Sequence, residues 1–407
     1  MRAIFFDEAA ARAVAGRLVG DGYAATVARE RFAGEDDDED HPWAVLTDAP
    51  APLVELLVDE YDGWPDADES PAEPVVPLEL PSAPRRITRP DPGAGQHRTT
   101  LGPMTDAPAQ RLLLVHAHPD DESIGQGATM ARYAAEGRGV TLVTCTAGEM
   151  GEVLVPELAH LAAEQDGGLE HQRRVELEQA MKELGVTDHR FLGGFGRFRD
   201  SGMKWHEDGH AVAADETDER AFANADLTEA ANLLVEVIRE VRPQVLVTYD
   251  EFGGYGHPDH IQAHRVAMYA ATLAAVPSHR RDLGEAWDVT KIYWGTMSES
   301  RMRAGLRALR EAGDTTTFEG MDPDGQLPPF ARADKDLAAE VDGGEHVEQK
   351  MAAMRAHATQ ITVDGPFFAL SNNVGDSIWA TEFYRIAKGV VGTVDDRGLE
   401  TDLFAGL

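Results

Sequence analysis

From residue 109 onward, short apolar runs alternate with longer stretches in which apolar residues recur every three or four positions. "RLLLVHAH" (111–118) reads as a buried strand, "ESIGQGATMARYAAEG" (122–137) as a helix and "GVTLVTCTAG" (139–148) as a second strand. The pattern repeats. Helix "HQRRVELEQAMKELGV" precedes the short strand "HRFLGG"; helix "LTEAANLLVEVIREVRP" precedes strand "QVLVTYD"; helix "DHIQAHRVAMYAATLAA" precedes strand "KIYWGTM". Alternation of this kind predicts an α/β fold, a Rossmann-like, mostly parallel sheet with helices on both faces. Residues 311–345 read as loop-rich, "EHVEQKMAAMRAHATQ" as a further helix, and "GPFFALSNN" (365–373) as a segment returning toward the sheet.

The first 64 residues carry a different pattern. "RAIFF" is strand-like, and "DEAAARAVAGRLVGDG" has helical spacing and stops at glycine. "YAATVARER" and "WAVLTDA" suit a strand pair, and "PLVELLVDEYDGW" suits a helix opened by proline. The order βαββα predicts a small N-terminal α/β domain, with the acidic run "GEDDDED" (34–40) as a solvated turn between its middle strands. Residues 65–108 are proline-rich and aperiodic, which predicts an extended linker. The expected organisation is therefore a module of residues 1–64, a linker 65–108 and a catalytic domain 109–407. The module is read as a binding site for a protein partner or a dispensable fusion.

Composition narrows the function. The formal charge is −35, from 72 acidic against 37 basic residues, which excludes general nucleic-acid binding and docking on anionic lipid. There is no run of eighteen apolar residues and no signal-peptide cleavage pattern near the start, so a cytoplasmic protein without a membrane span is expected. The one cysteine, Cys145, lies in a strand-like run and reads as a small buried hydrophobe. The first strand is not followed by G-x-G-x-x-G, so no dinucleotide site is predicted.

In an open α/β sheet, ligands bind at the carboxyl ends of the strands. Three polar clusters fall there: "HAHPDDE" (116–122), "LGGFGRFRDSGM" (192–203) and "DEFGGYGHPDH" (250–260). His118, Asp121 and His260 supply two imidazoles and a carboxylate, a common catalytic metal set with open positions; zinc suits it, and so does iron(II). A helix cap is the plainer reading of Asp120 or Asp121. The recurrence of His-Pro-Asp in "HPDD" and "HPDH" argues against two coincidental caps. A cation on Asp121 would keep neighbouring Asp120 ionised, able to take a proton from water as general base. His257 is placed to protonate a leaving amine or to hold an oxyanion, with Asp259 orienting its ring. Tyr255, between glycines, can donate to a developing oxyanion. His264, four residues after His260, reads as a buried supporting group, and His116 as a ligand-orienting or satisfied core histidine.

The quoted segments resemble the PIG-L (LmbE-like) metal-dependent deacetylases over about residues 110–395. "VHAHPDDES", "VTCTAGEMGEV", "LGGFGRFRDSGM", "VTYDEFGGYGHPDH" and "MRAHATQ…ALSNN" are most similar to the subgroup acting on N-acetylglucosaminyl-inositol in mycothiol biosynthesis. The resemblance implies zinc on His118, Asp121 and His260 and Asp120 as base. It gives His257 an acid or oxyanion role and Tyr255 a mobile carbonyl-polarising role. It places Arg173 and Asp200 on the sugar and inositol hydroxyls, with Asn373 a weaker substrate contact. The sister subgroup, which cleaves mycothiol conjugates, is expected to carry a lysine near Gln126 and a proline where this chain has Gly256. Amide cleavage of such conjugates is the alternative activity.

Overall fold

The structure is a computed structural model. It describes residues 2–5, 7–20, 23–29, 43–49, 54, 58, 61 and 64–66, and then 110–407 without 164, 166, 207–209, 216, 312, 317–319 and 363–379. The expected acidic turn at 34–40, the linker and the "GPFFALSNN" segment with Asn373 lie outside the described residues. Contacts divide the chain into two compact units, residues 1–98 and 99–407.

In the first unit, β1 (Arg2–Phe5), β2 (Ala25–Arg29), β3 (Trp43–Thr47) and β4 (Trp64–Asp66) form an antiparallel sheet in the order β2-β3-β1-β4. Helix α1 (Glu8–Gly20) buries Ala11, Val14, Ala15 and Leu18, the one-faced spacing of an amphipathic helix. They share a core with Phe5, Val45, Val54 and Val58. The structure differs from expectation at Trp64, which lies in a strand rather than at the end of a helix. Its strand pairs with β1 and carries the sheet to Asp66, two residues into the stretch read as linker.

The second unit opens with β5 (Arg111–His116), α2 (Asp121–Ala135), β6 (Gly139–Thr144), α3 (Leu169–Leu184) and β7 (Asp188–Phe191). A hairpin of β8 (Met203–Trp205) and β9 (Ala211–Ala213) follows, then α4 (Leu227–Val241), β10 (Val245–Thr248), α5 (Pro258–Ala274) and β11 (Lys291–Ser298). The chain ends with α6 (Glu299–Glu311), β12 (Ala331–Arg332), β13 (Ala339–Asp342), α7 (Val347–Ala356) and β14 (Thr381–Lys388). The sheet order is β13-β14-β11-β10-β5-β6-β7, with β12 beside β11. Strands β11, β10, β5, β6 and β7 are parallel, while β14 and β13 form an antiparallel edge.

Side-chain alternation along the central strand explains the two helical layers. Leu113 and Val115 enter a core with α4 and α5, whereas Leu112 and Leu114 enter a second core with α2, α3 and α7. All four are fully buried, each worth about 1.5–3 kcal/mol of transfer free energy. The connections leave β5 toward β6 on one side and return as β10 on the other. The crevice between the carboxyl ends of β5 and β10 is thus the topological switch point, where a ligand is expected. The β8–β9 hairpin and the β13–β14 edge were not foreseen. The hairpin strands have only three residues each, and β13 and β14 interleave charged with apolar residues, without the apolar runs that mark the central strands.

Candidate active site

Both His-Pro-Asp segments emerge in that crevice. His118 Nδ1 and His260 Nε2 are 3.3 Å apart. The Asp121 carboxylate brings Oδ2 to 3.4 Å from His118 Nδ1 and Oδ1 to 3.4 Å from His260 Nε2. Ligands at about 2.05 Å from one tetrahedral ion stand about 3.3 Å from each other, so this triangle has the edge length of a small divalent cation's ligand set. The protons are placed to match. His260 Nδ1 lies 3.1 Å from the Gly253 carbonyl and His118 Nε2 lies 3.2 Å from Asp259 Oδ2. Each ring therefore donates through its far nitrogen and turns a lone pair into the triangle. Gly253 must be glycine for this, since at φ +66° a Cβ would stand 2.7 Å from the His260 Cβ.

Charge points the same way. Asp121, Asp259 and Asp200 all approach His118, the last at 3.6 Å from Nε2. Burial works against a charge on His118, yet these carboxylates raise its pKa well above the ordinary imidazole value. Buried carboxylates crowded around one ring call for a compensating cation. Two other groupings converge here, His118 with His257 and His260, and His118 with Asp200, His257 and Asp259. His257 Nδ1 accepts the Asp259 backbone N–H at 3.1 Å, and Asp200 accepts the N–H groups of Gly202 and Met150.

Asp120 is partly buried beside the triangle and lines a cavity of about 600 Å³, together with Asp121, Tyr255 and His260. Its Oδ2 accepts from Arg173 Nη2 at 3.1 Å. Burial raises its pKa to about 6 even though Arg173 pulls the other way, which suits a group that must take up a proton near neutrality. His257 is held neutral, at about 2, first by burial and then by the neighbouring His118 and His260. With Nδ1 accepting, its proton sits on Nε2. Tyr255 keeps its phenolic proton because burial raises its pKa. Its ring centroid is 5.0 Å from that of His260.

The PIG-L family model, described as GlcNAc-PI de-N-acetylase, matches residues 113–271. A Nocardioides sp. protein named 1D-myo-inositol 2-acetamido-2-deoxy-alpha-D-glucopyranoside deacetylase is 78% identical over 298 residues, covering 73% of this chain and 99% of the relative. The chain belongs to the PIG-L family. A Kribbella flavida protein of the same name is 64% identical over 304 residues, 75% of this PIG-L chain and 100% of the relative. One from Geodermatophilus obscurus is 60% identical over 300 residues, 74% and 99%. PIG-L deacetylases are metal-dependent.

In this PIG-L chain several side chains stand differently from expectation. The Asp259 carboxylate does not reach His257. It is tied to His118 Nε2 and to the N–H and Oγ of Ser201, and only its backbone N–H meets the His257 ring. The reason is local: His257 caps α5 and Pro258 starts it, so Asp259 points inward from the first turn. Arg173 is 3% exposed, with its guanidinium on Asp120, the Pro119 carbonyl and the Gly148 carbonyl; Nε is its one buried atom without a partner. Neither Arg173 nor Asp200 is among the residues lining the cavity.

Sequence reasoning missed Tyr249. Its hydroxyl donates to Asp121 Oδ2 at 2.6 Å and accepts from the Ala117 N–H, and its ring stacks on His260 with centroids 4.2 Å apart. Its position as the first residue after β10, before the "DEFGGYGHPDH" cluster, was the available signal. Asp250 was missed too. It accepts the N–H groups of Phe252 and Gly254 and pairs with Arg332, shaping the loop that carries Tyr255. His116 lines the cavity with Nδ1 3.2 Å from the Tyr249 hydroxyl, and His264, outside the lining, donates through Nδ1 to the Tyr249 carbonyl. Cys145 is buried, and burial pushes its thiol pKa up, as expected of a packing residue. Gly256 has φ +98° and a Cβ there would stand 2.5 Å from the Ala211 carbonyl oxygen; a proline, fixed near −65°, would require a different loop.

Proposed function

We propose that this chain is the deacetylase of 1D-myo-inositol 2-acetamido-2-deoxy-alpha-D-glucopyranoside in mycothiol biosynthesis, releasing acetate and the free amine with zinc as its metal. The 78% identity to a relative of that name, matched over nearly its whole length, carries the reading. His118 Nδ1, the Asp121 carboxylate and His260 Nε2 would hold the ion, and the spacing of those atoms supports the assignment. Zinc there supplies Lewis-acid activation of water and of the amide carbonyl. Asp120 takes the proton of the attacking water, its Oδ2 anchored by Arg173. Neutral His257, through Nε2–H, and Tyr255, through its hydroxyl, donate to the oxygen that becomes negative as the carbonyl is attacked. The proton held by Asp120 then passes to the amide nitrogen as the C–N bond breaks, leaving acetate and the free amine. Arg173 and Asp200, neither of which lines the cavity, act from behind Asp120 and His118 rather than on substrate hydroxyls.

The cavity suits a small glycoside in volume. Its far wall, Met297, Met302, Leu306 and Phe330, is apolar. That wall supports a second reading, amide cleavage of mycothiol conjugates carrying an apolar group on sulfur, or of another N-acyl sugar. Residues 1–66 are proposed as a separate module, followed by a proline-rich stretch and available to a protein partner, ahead of the deacetylase domain 109–407. Among the described residues no helix is long and apolar enough to cross a membrane. Free-amine release by the purified chain, measured on the N-acetyl glycoside and on an apolar thiol conjugate, tests the proposal. Higher kcat/KM on the glycoside is expected; the reverse order favours the second reading.

A further inference from the structure

Asp120 has φ +113° and ψ −33°, and only Arg242 and Arg280 join it as non-glycine residues of positive φ among the described residues. L residues seldom occupy that region unless their surroundings hold them there. The Asp120 carbonyl accepts the Ile124 N–H at 3.0 Å, and the Asp120 N–H donates to Glu122 Oε2 at 3.0 Å. Glu122 is fully buried. Its other oxygen, Oε1, accepts from Ser123 Oγ at 2.6 Å and from His357 Nε2 at 2.8 Å. His357 is also fully buried and lies 235 residues away, just past the end of α7. Its carbonyl accepts the N–H groups of Gln360 and Ile361, so a tight turn fixes its backbone, and the bond to Glu122 is the ring's one hydrogen bond among the described residues.

A first-turn glutamate that reaches back to the N-cap N–H is an ordinary way to begin a helix. That device needs neither a buried carboxylate nor a histidine brought from another helix, and an isolated buried carboxylate is destabilising. Neither Glu122 nor His357 lines the cavity. We infer that Glu122 and His357 form a positioning pair for the general base: His357 holds Glu122 in place, and Glu122 holds the Asp120 backbone in the conformation that turns its carboxylate to the cavity. The inference rests on the base role proposed for Asp120.

The test compares Glu122→Ala, Glu122→Gln, His357→Ala and the Glu122→Ala/His357→Ala double variant in the zinc-loaded full chain, by acetate release. Loss of positioning lowers kcat ~100-fold in Glu122→Ala and ~10-fold or more in His357→Ala, with KM within about threefold of wild type. Glu122→Gln keeps an acceptor for the Asp120 N–H and recovers kcat to within about tenfold of wild type, and the double variant is no slower than Glu122→Ala. A raised KM at unchanged kcat, a glutamine no better than alanine, or multiplicative losses in the double variant would overturn the inference. If Glu122→Ala does not fold, Glu122→Asp replaces it; one methylene too short for the Asp120 N–H, it should show the same loss, and wild-type kcat would count against the pair. Crystal structures of the same variants need no substrate. Asp120 should leave positive φ in Glu122→Ala and keep it in Glu122→Gln, and positive φ in both overturns the inference. A wild type that releases no acetate defeats the functional reading instead, and the crystallographic comparison still decides on the pair.

Discussion

The chain contains His-Pro-Asp twice, at 118–120 and 257–259, each time between a strand of the central sheet and a helix, and the two copies are put to different use. In the first, the histidine turns Nδ1 toward His260 and the Asp121 carboxylate, and its aspartate, in a left-handed backbone, sits on the cavity. In the second, the histidine spends Nδ1 on capping α5, and its aspartate, fully buried, braces the histidine of the first copy. The residue that follows each copy, Asp121 or His260, enters the triangle. Residue type is therefore a poor guide to role here; a positive φ turns Asp120 to the cavity, whereas Asp259, in the first turn of α5, lies against the His118 ring.

The difference can be broken experimentally. The largest effect is expected from Asp120→Asn, which should lower kcat by ~10²–10⁴-fold while the bound metal stays at one per chain. Asp259→Asn should do the opposite, weakening metal affinity ~10–100-fold by releasing the His118 ring, with kcat of the fully loaded enzyme much less affected. Titration with zinc followed by turnover at saturating metal separates the two, and equal kcat losses at saturation would erase the distinction between the copies. Tyr249→Phe sharpens it from the other side. Loss of the hydroxyl on Asp121 Oδ2 should cost metal affinity in the same ~10–100-fold range, whereas an unchanged affinity would mean that Asp121 needs no such support. The smallest effect belongs to Ser201→Ala, which removes one hydrogen bond to the Asp259 carboxylate and the acceptor of the Ala223 N–H and should cost about 1–2 kcal/mol in denaturant unfolding. No measurable change would place the bracing of Asp259 on the Ser201 N–H alone.

The sheet, its helical layers and the crevice were legible in the sequence because β5, β6 and β10 are nearly unbroken apolar runs, separated by helices of clear periodicity. His118, Asp120, Asp121 and His260 were legible as a cluster because short motifs keep them close to strand ends. What the sequence hid was long-range and conformational. Tyr249 resembles any strand-end tyrosine until its hydroxyl is seen on Asp121, and Asp259 resembles an orienter of its neighbour until its carboxylate is found on a ring 141 residues away. Arg173 was read, through the resemblance, as a substrate contact, since its partners, Asp120 and two carbonyls, come from two loops distant from its own helix. The positive φ of Asp120 leaves no trace in composition, because aspartate tolerates helix starts and turns of many kinds.

The central claim is that His118, Asp121 and His260 hold a metal on which amide hydrolysis depends. The most direct measurement strips the wild-type chain with a chelator and follows free-amine release from 1D-myo-inositol 2-acetamido-2-deoxy-alpha-D-glucopyranoside as zinc is returned. Activity should vanish on stripping and return in full at one zinc per chain, with no return in Asp121→Ala at the same stoichiometry. Full turnover by the stripped wild type, or equal recovery in Asp121→Ala, would contradict the account.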